Sequence, residues 1–546
     1  EASAKLCNAP LGATLLHAND LKLAAEAIWL NRSQISVSSI NVQDGSRWLL
    51  ASSLDGKLRV QNGQSLEGAD TTIDLVIKAP QLLEVTGLNA QALKKLHTAQ
   101  TVLVQVDPQG KVLKATRLQA AKALDDLYAD AAENQTLGPQ FVKSKSRNAA
   151  GTAHLALWAP TARAVSVCLY PDANAAAVGH AKLSRDEASG VWRTAKPLAK
   201  QGSYYRYAVE VFVPGVGWVI NHVNDPYAVS LSANSLRSYA ADLNSPQLKP
   251  AGWDKHQAPQ TVKHPADMVI YELHVRDFSI NDTSVPADMR GKYLAFTQGN
   301  SHGMKHLKEL AKAGMTDLHL LPVFDLATVP EKNCQSDARA ATTTRANDCF
   351  NWGYDPLHFN APEGSYASDA DDGAKRILEF RRLVKSLHEA GWRVGMDKVY
   401  NHTSASGQHL QSVLDRIVPG YYHRLNAQGE VERSTCCDNT ATEHRMMAKL
   451  MSDSVLLWTQ QYKLDSYRFD LMGHQPKQAM LDMQNRLQKT LRKRIDFVGE
   501  GWNFGEVANG ARFVQASQLS LNGTGIGTFN DRLRDAIRGG GAGDSV

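Results

Sequence analysis

The chain has 546 residues, 43% of them hydrophobic and 21% charged, an ordinary globular composition that excludes a disordered, collagen-like or small disulfide-scaffold protein. At about 150 residues per domain, the length points to several domains rather than one. Sixty basic residues against 55 acidic ones leave a formal charge of +5, with no basic stripe for nucleic acid and no stretch approaching the ~20 apolar residues of a membrane span.

Glu1 opens the chain without a basic-then-apolar leader, so any signal or transit peptide is expected to have been removed or left out of this sequence. Over 1–125, short alternating runs (AEAIWLN, RWLLAS, TVLVQVD) broken by Gly, Asn and Asp predict the strands of a small sheet domain. A helical pattern, LQAAKALDDLYADAAE, leads into AHLALWAPTARAVSVCLYP and SYYRYAVEVFVPGVGWVINHV, whose alternation and Pro/Gly turns predict a β-sandwich over 126–252. From 253 onwards, apolar strands (MVIYELHV, TDLHLLPV, WRVGMDKV, YKLDSYRF, DFVGE) alternate with amphipathic helices over 303–314, 375–390, 443–462 and 476–493. That alternation predicts parallel βαβ units, in either a doubly wound sheet or a (β/α)8 barrel. Five strands precede the Gly-rich tail GGGAGDSV, whereas a closed barrel needs eight.

Six cysteines are present. Cys334 and Cys349 bracket a polar loop and can bridge in an oxidising compartment; the alternative is that all six are free thiols. The adjacent Cys436 and Cys437 stay open, because a vicinal disulfide is strained. No Cys/His spacing fits zinc. The loop SDADDGAK (368–375) clusters oxygens suited to Ca2+, against the simpler reading of a solvated acidic turn.

Chemistry concentrates where the last three predicted strands end. The third gives Asp397, Asn401 and His402; the fourth gives Arg468 and Asp470; the fifth gives Glu500 and Trp502. Arg468 and Asp470, two apart on a strand, project to one face. A cation there keeps a carboxylate ionised, as a nucleophile must be. With Glu500 facing the same space, the pair is the equipment of glycoside hydrolysis. Each cluster alone reads as a structural ion pair or a satisfied loop histidine; three at successive strand ends do not.

MDKVYNHT, YRFDLMGH and GEGW resemble the first three signature regions of the α-amylase clan, glycoside hydrolase family thirteen. FNWGYDP followed by EGSYA is similar to a motif of type I pullulanases and plant limit dextrinases, most closely the bacterial Klebsiella-like ones, and the likeness runs through nearly the whole chain. The resemblance implies a multidomain protein: a pullulanase-type N-terminal β domain (1–125), a sandwich like carbohydrate-binding module 48 (126–252), and an α-amylase-type (β/α)8 barrel (253–546) broken off after about the fifth strand. It implies Asp470 as nucleophile and Glu500 as general acid/base. Tyr354, Asp355, Trp352, His402, Arg468, Trp502 and His474 would be substrate contacts, with Asp397 and Asn401 as structural partners. It also implies retaining hydrolysis of α-1,6 bonds in pullulan, amylopectin, glycogen and limit dextrins, with no cofactor for the chemistry. The expected protein is a secreted or cell-surface monomer with an α-glucan partner and no nucleic acid.

Three departures bear on these expectations. Position 398 is Lys where the clan's strand carries an apolar residue, which puts an amine against the helix layer. Ser466 and Tyr467 replace a Gly-Phe pair, crowding the face that carries Arg468. No His-Asp pair follows Glu500, so the clan's third carboxylate is missing, and the chain is expected to be the N-terminal part of a longer enzyme with low turnover alone. The alternatives are an isoamylase or other member of the clan, and a non-catalytic α-glucan-binding fragment.

Overall fold

A computed structural model describes residues 2–38, 45–142, 151–332 and 350–541. The expected Cys334–Cys349 bridge lies outside these residues.

In the first module, strands Arg47–Ser53 and Gln100–Val106 pair antiparallel at the centre of a four-stranded sheet, and Ala27–Trp29 belongs to a second, five-stranded sheet. The predicted helix over 118–133 is real but interrupted. It starts at Ala121–Leu124, passes through a π turn at Asp125–Ala129 and resumes at Asp130–Ala132.

The sandwich follows the predicted alternation. Strand Thr152–Trp158 lies in one sheet, and Ala162–Tyr170, Tyr204–Val213 and Gly217–Val223 in the other. Strand Thr14–Asn19, far upstream, adds antiparallel to the edge of Gly217–Val223. A disulfide between Cys7 and Cys168 secures the same connection. The sequence offered no reason to pair these two, because nothing local brings them together. Cys436 and Cys437 are also bonded to each other, so the all-thiol alternative does not hold.

The remainder is a curled parallel sheet, a half-barrel. Its strands run in chain order: β1 (Ile270–Leu273), β2 (Asp317–Leu320), β3 (Arg393–Lys398), β4 (Ser466–Phe469), β5 (Asp496–Gly499) and β6 (Gly527–Thr528). The sequence reading stopped at five strands, because two residues, one of them Gly, carry no periodicity. Helices α1 (His302–Lys312), α2 (Gly373–Glu389), α3 (Arg445–Tyr462) and α4 (Lys477–Leu491) alternate with β1–β5. Ser301 caps α1 by accepting from Met304 N–H, and Asp372 caps α2 by accepting from Ala374 N–H. Ile377, Phe380, Val384 and Leu387 of α2 recur at helical spacing and are fully buried against the sheet.

The three odd residues of the barrel strands find different solutions. Ser466 Oγ donates to Asp317 Oδ2 (2.7 Å) and lies 2.8 Å from His319 Nε2, so the expected crowding becomes a polar network inside the sheet. The Tyr467 hydroxyl lies 2.8 Å from Thr459 Oγ1. Lys398 does point into the helix layer, but it neither snorkels nor ion-pairs. Its Nζ sits 4.7–5.0 Å from the ring centres of Trp458, Phe324 and Tyr400 and 3.3 Å from the Phe359 carbonyl, with no exposure.

Candidate active site

The strand register builds the site. Asp397 is the direct neighbour of Arg468 across β3 and β4, and Arg468 Nη1 donates to both Asp397 oxygens at 2.7 Å. The same nitrogen is 3.3 Å from Asp470 Oδ1, and Nη2 is 2.8 Å from Glu500 Oε1. One guanidinium thus gathers three carboxylates from the ends of three adjacent strands.

Each carboxylate has further partners. Tyr354 donates its hydroxyl to Asp397 Oδ2 (2.6 Å). Burial pushes the Asp397 carboxyl up to about 7 despite the opposing pull of Arg468, and the surrounding carboxylates hold Arg468 firmly cationic. Asn401 Nδ2 donates to Asp470 Oδ2 (2.8 Å) and to its carbonyl (2.9 Å). Leu471 N–H donates to Glu500 Oε2 (2.9 Å). That bond needs Leu471 in the left-handed region, with φ 40° and ψ 48°, an uncommon conformation for a side chain of this size. The sharp turn directly after Asp470 therefore fixes where Glu500 sits.

The other expected site residues divide. His402 joins the cluster, with Nδ1 2.6 Å from Asn401 Oδ1 and Nε2 2.7 Å from the Tyr354 carbonyl. Trp352 is 65% exposed and meets Phe350 edge-on, so its ring is not packed in the core. Asp355 accepts from Thr328 Oγ1 (2.7 Å), and its carbonyl accepts from Ala327 N–H (2.9 Å), which ties down the neighbouring loop. Trp502 is half-buried, and its carbonyl abuts Gly473, where a Cβ would lie 2.2 Å away. His474, expected among the substrate contacts, is 1% exposed and faces a network behind the site. Its Nε2 lies 2.9 Å from Ser434 Oγ, its ring packs on Phe504, and burial lowers it to about 4.

That network contains a residue the sequence gave no signal for. Glu506 accepts from Arg424 Nη1 (3.0 Å), Asn439 Nδ2 (2.9 Å) and Ser434 Oγ, and these donors hold it at about 2. It is one acid in a short irregular turn. The 368–375 loop does not converge on a cation. Asp371 binds Lys332, Asn174 and Ala233 N–H, Asp369 accepts from Asp371 N–H, and Asp372 caps α2. These carboxylates do not fit a calcium site. Among the described residues, carboxylates do converge at Asp325, Glu331 and Glu363, where Arg376 ion-pairs with Asp325 and Glu331. No helix among the described residues is long and apolar enough to cross a membrane.

Comparison with known proteins agrees with this geometry. Residues 24–126 match the pullulanase N2 domain, and 136–228 match carbohydrate-binding module 48, the isoamylase N-terminal domain. The chain is 43% identical to a pullulanase of Klebsiella pneumoniae over 507 residues, which is 83% of this chain and 45% of that one. It is 39% identical to the chloroplastic pullulanase 1 of Arabidopsis thaliana over 566 residues, 95% of this chain and 57% of that one. The crystal structure of apo pullulanase from K. pneumoniae superimposes with a TM-score of 0.87 at 36% identity, covering 96% of this chain and 62% of that one. The chain spans about half the length of the curated relatives it matches, and across that span it is similar to pullulanases.

Proposed function

We propose that the protein is a debranching glycosidase that hydrolyses α-1,6-glucosidic bonds of pullulan, amylopectin and limit dextrins with retention of configuration, on a chain organised as 1–125, 126–252 and 253–546. The observation that carries this reading is the single guanidinium of Arg468 binding Asp397, Asp470 and Glu500 together. Asp470 is the nucleophile, ion-paired with Arg468 and aimed by Asn401. Glu500 is the proton donor to the glycosidic oxygen, and then the base that activates water against the glycosyl-enzyme. A proton donor cannot keep both oxygens on N–H groups, so entry of the sugar must displace Arg468 from Glu500 Oε1 while Leu471 N–H retains Oε2. Maltotriose complexes of a Klebsiella relative support an α-glucan ligand. The disulfides Cys7–Cys168 and Cys436–Cys437 support an oxidising, extracytoplasmic setting.

The test is reducing-sugar release from pullulan by the wild-type chain, Asp470→Asn and Glu500→Gln. Maltotriose of α configuration, released by the wild type and reduced at least about a thousandfold in both variants, is expected. Glycogen debranching without pullulan cleavage would make it an isoamylase. Pullulan binding with no release from any form would make it a glucan-binding chain.

A further inference from the structure

A cavity of about 40 Å³ lies where distant parts of the chain meet, well apart in sequence from the carboxylate cluster. Its walls come from the N-terminal segment (Leu11, Gly12), from Asn224 at the end of sandwich strand Gly217–Val223, and from His358, Ser412 and Arg416 on the barrel side. At roughly 10–15 Å³ per water it holds about three water-sized spheres, too few for a sugar ring. Four of these side chains, none more than 3% exposed, keep a polar atom without a hydrogen-bond partner among the described residues: Asn224 Oδ1, His358 Nε2, Ser412 Oγ and Arg416 Nε. Buried polar atoms are seldom left so, and here four belong to the lining of one space.

Charge selects the ligand. The Arg416 Nη atoms donate only to neutral oxygens, the carbonyls of Gln408 (3.3 Å) and Ala13 (3.1 Å) and Thr14 Oγ1 (3.2 Å). Burial lowers its guanidinium to about 10, with no carboxylate opposing the shift. A second buried guanidinium, Arg206, likewise ends on carbonyls, those of Leu236 and Ala9. Burial and then these two cations lower His222, whose ring lines the same cavity, to about 4. The acid behind His358 is already engaged: Asp325 accepts from the His358 ring and Ser235 and pairs with Arg376. A buried cation without a counter-charge is costly.

We propose that this cavity binds a small monovalent anion of halide size, chloride in ordinary buffers, on Arg416 Nε–H and Ser412 Oγ–H, and that the ion clamps the N-terminal segment and the sandwich onto the barrel. A spherical ion accepts N–H and O–H donors from several directions, so it suits donors brought together from separate elements. Asn224 Nδ2 is spent on the Ser235 carbonyl (2.6 Å), so its Oδ1 can only accept. The volume beyond the ion fits about one or two waters, which donate to Asn224 Oδ1 and His358 Nε2 and solvate the ion. The clamp follows from the partners of Arg416. It holds Ala13 and Thr14 of the N-terminal segment, and its own carbonyl accepts from Asn221 Nδ2 (2.9 Å) of the sandwich. Leu410, which lines the cavity and is 65% exposed, is the wall through which the ion exchanges. Nothing in this proposal depends on the catalytic reading.

The experiment collects diffraction at the bromine edge from crystals of the full chain equilibrated in sodium bromide, and compares thermal melts in equal concentrations of sodium chloride and sodium gluconate, whose anion is too large to enter. A bromine peak in the cavity beside Arg416 is expected, with melting about 2–4 °C higher in chloride than in gluconate. Arg416→Met removes the charge and should make melting indifferent to the anion. Ser412→Ala, a smaller change, should weaken halide affinity several-fold and shrink the shift. No bromine in the cavity of the wild type at saturating bromide would overturn the site without any variant having to fold. A peak that persists in Arg416→Met would mean an adventitious ion only and would overturn it too. A peak lost in Arg416→Met but without a chloride-dependent shift in melting would overturn the clamp alone.

Discussion

Lys398→Met tests whether the aromatic cage tolerates the amine or favours it. Three ring faces at 4.7–5.0 Å attract an ammonium, but its hydrogen bonding is thin. The Phe359 carbonyl, its one acceptor among the described residues, already receives Trp458 Nε1 (2.9 Å) and Ser454 Oγ (3.2 Å), both closer than Lys398 Nζ at 3.3 Å. Burial accordingly holds the amine far below the ordinary lysine range. Methionine keeps the unbranched shape and leaves that carbonyl satisfied. Removing a poorly bonded buried polar group should stabilise the barrel by about 1–3 kcal/mol, a melting shift of roughly 2–6 °C. The sign with pH follows from the depressed folded value. Between its depressed folded value and 10.5 the unfolded chain binds a proton at Lys398 that the folded chain does not, so across that window wild-type stability rises with pH and the advantage of the variant narrows, by up to about 1.4 kcal/mol per pH unit. Thermal melts of both proteins from about pH 6 to about pH 9 measure this. A variant that melts lower throughout, or a gap that ignores pH, would show that cation–π attraction outweighs desolvation.

Three other substitutions probe the site and its frame. Tyr354→Phe removes the hydroxyl from Asp397, a bond to a charged group worth about 1.5–3 kcal/mol, and should lower kcat/KM on pullulan roughly 10- to 100-fold with little change in melting; an unchanged rate would remove Tyr354 from the positioning of Arg468. Leu471→Gly relieves the left-handed backbone but frees Glu500, so kcat should fall while backbone strain of about 1 kcal/mol is released; a rate equal to wild type would show that the turn does not place Glu500. Asp465, buried and bonded to His388, Lys493 and Val394 N–H, is held at about 2. Its stabilisation is present above 3.8 and lost as pH falls towards 2, so Asp465→Asn should cost about 3–5 kcal/mol near neutrality and progressively less in acid; a penalty constant with pH would refute the charge as its source.

The strand-and-helix grammar was legible in the sequence because buried faces repeat, as Ile377, Phe380, Val384 and Leu387 do in α2. The carboxylates were legible for a related reason: residues two apart share a strand face, and strand ends converge in a parallel sheet. What escaped had no such repeat. The Cys7–Cys168 bond, the Gly527–Thr528 strand and Glu506 depend on contacts distant in sequence or on irregular turns, and the left-handed Leu471 defies its own propensity.

Strand Thr14–Asn19 has a partner in space that is remote in time. Thr14 pairs with Asn221, 207 residues downstream, so at about 5–20 residues per second a ribosome takes roughly 10–40 s to supply the strand that covers it. Throughout that interval the whole of the first module is made and can fold while its own leading segment waits with an open edge. The module is thus spliced into the sandwich like a bead on a closed loop, and its leading strand gains its partner only after the sandwich strand around Asn221 is available.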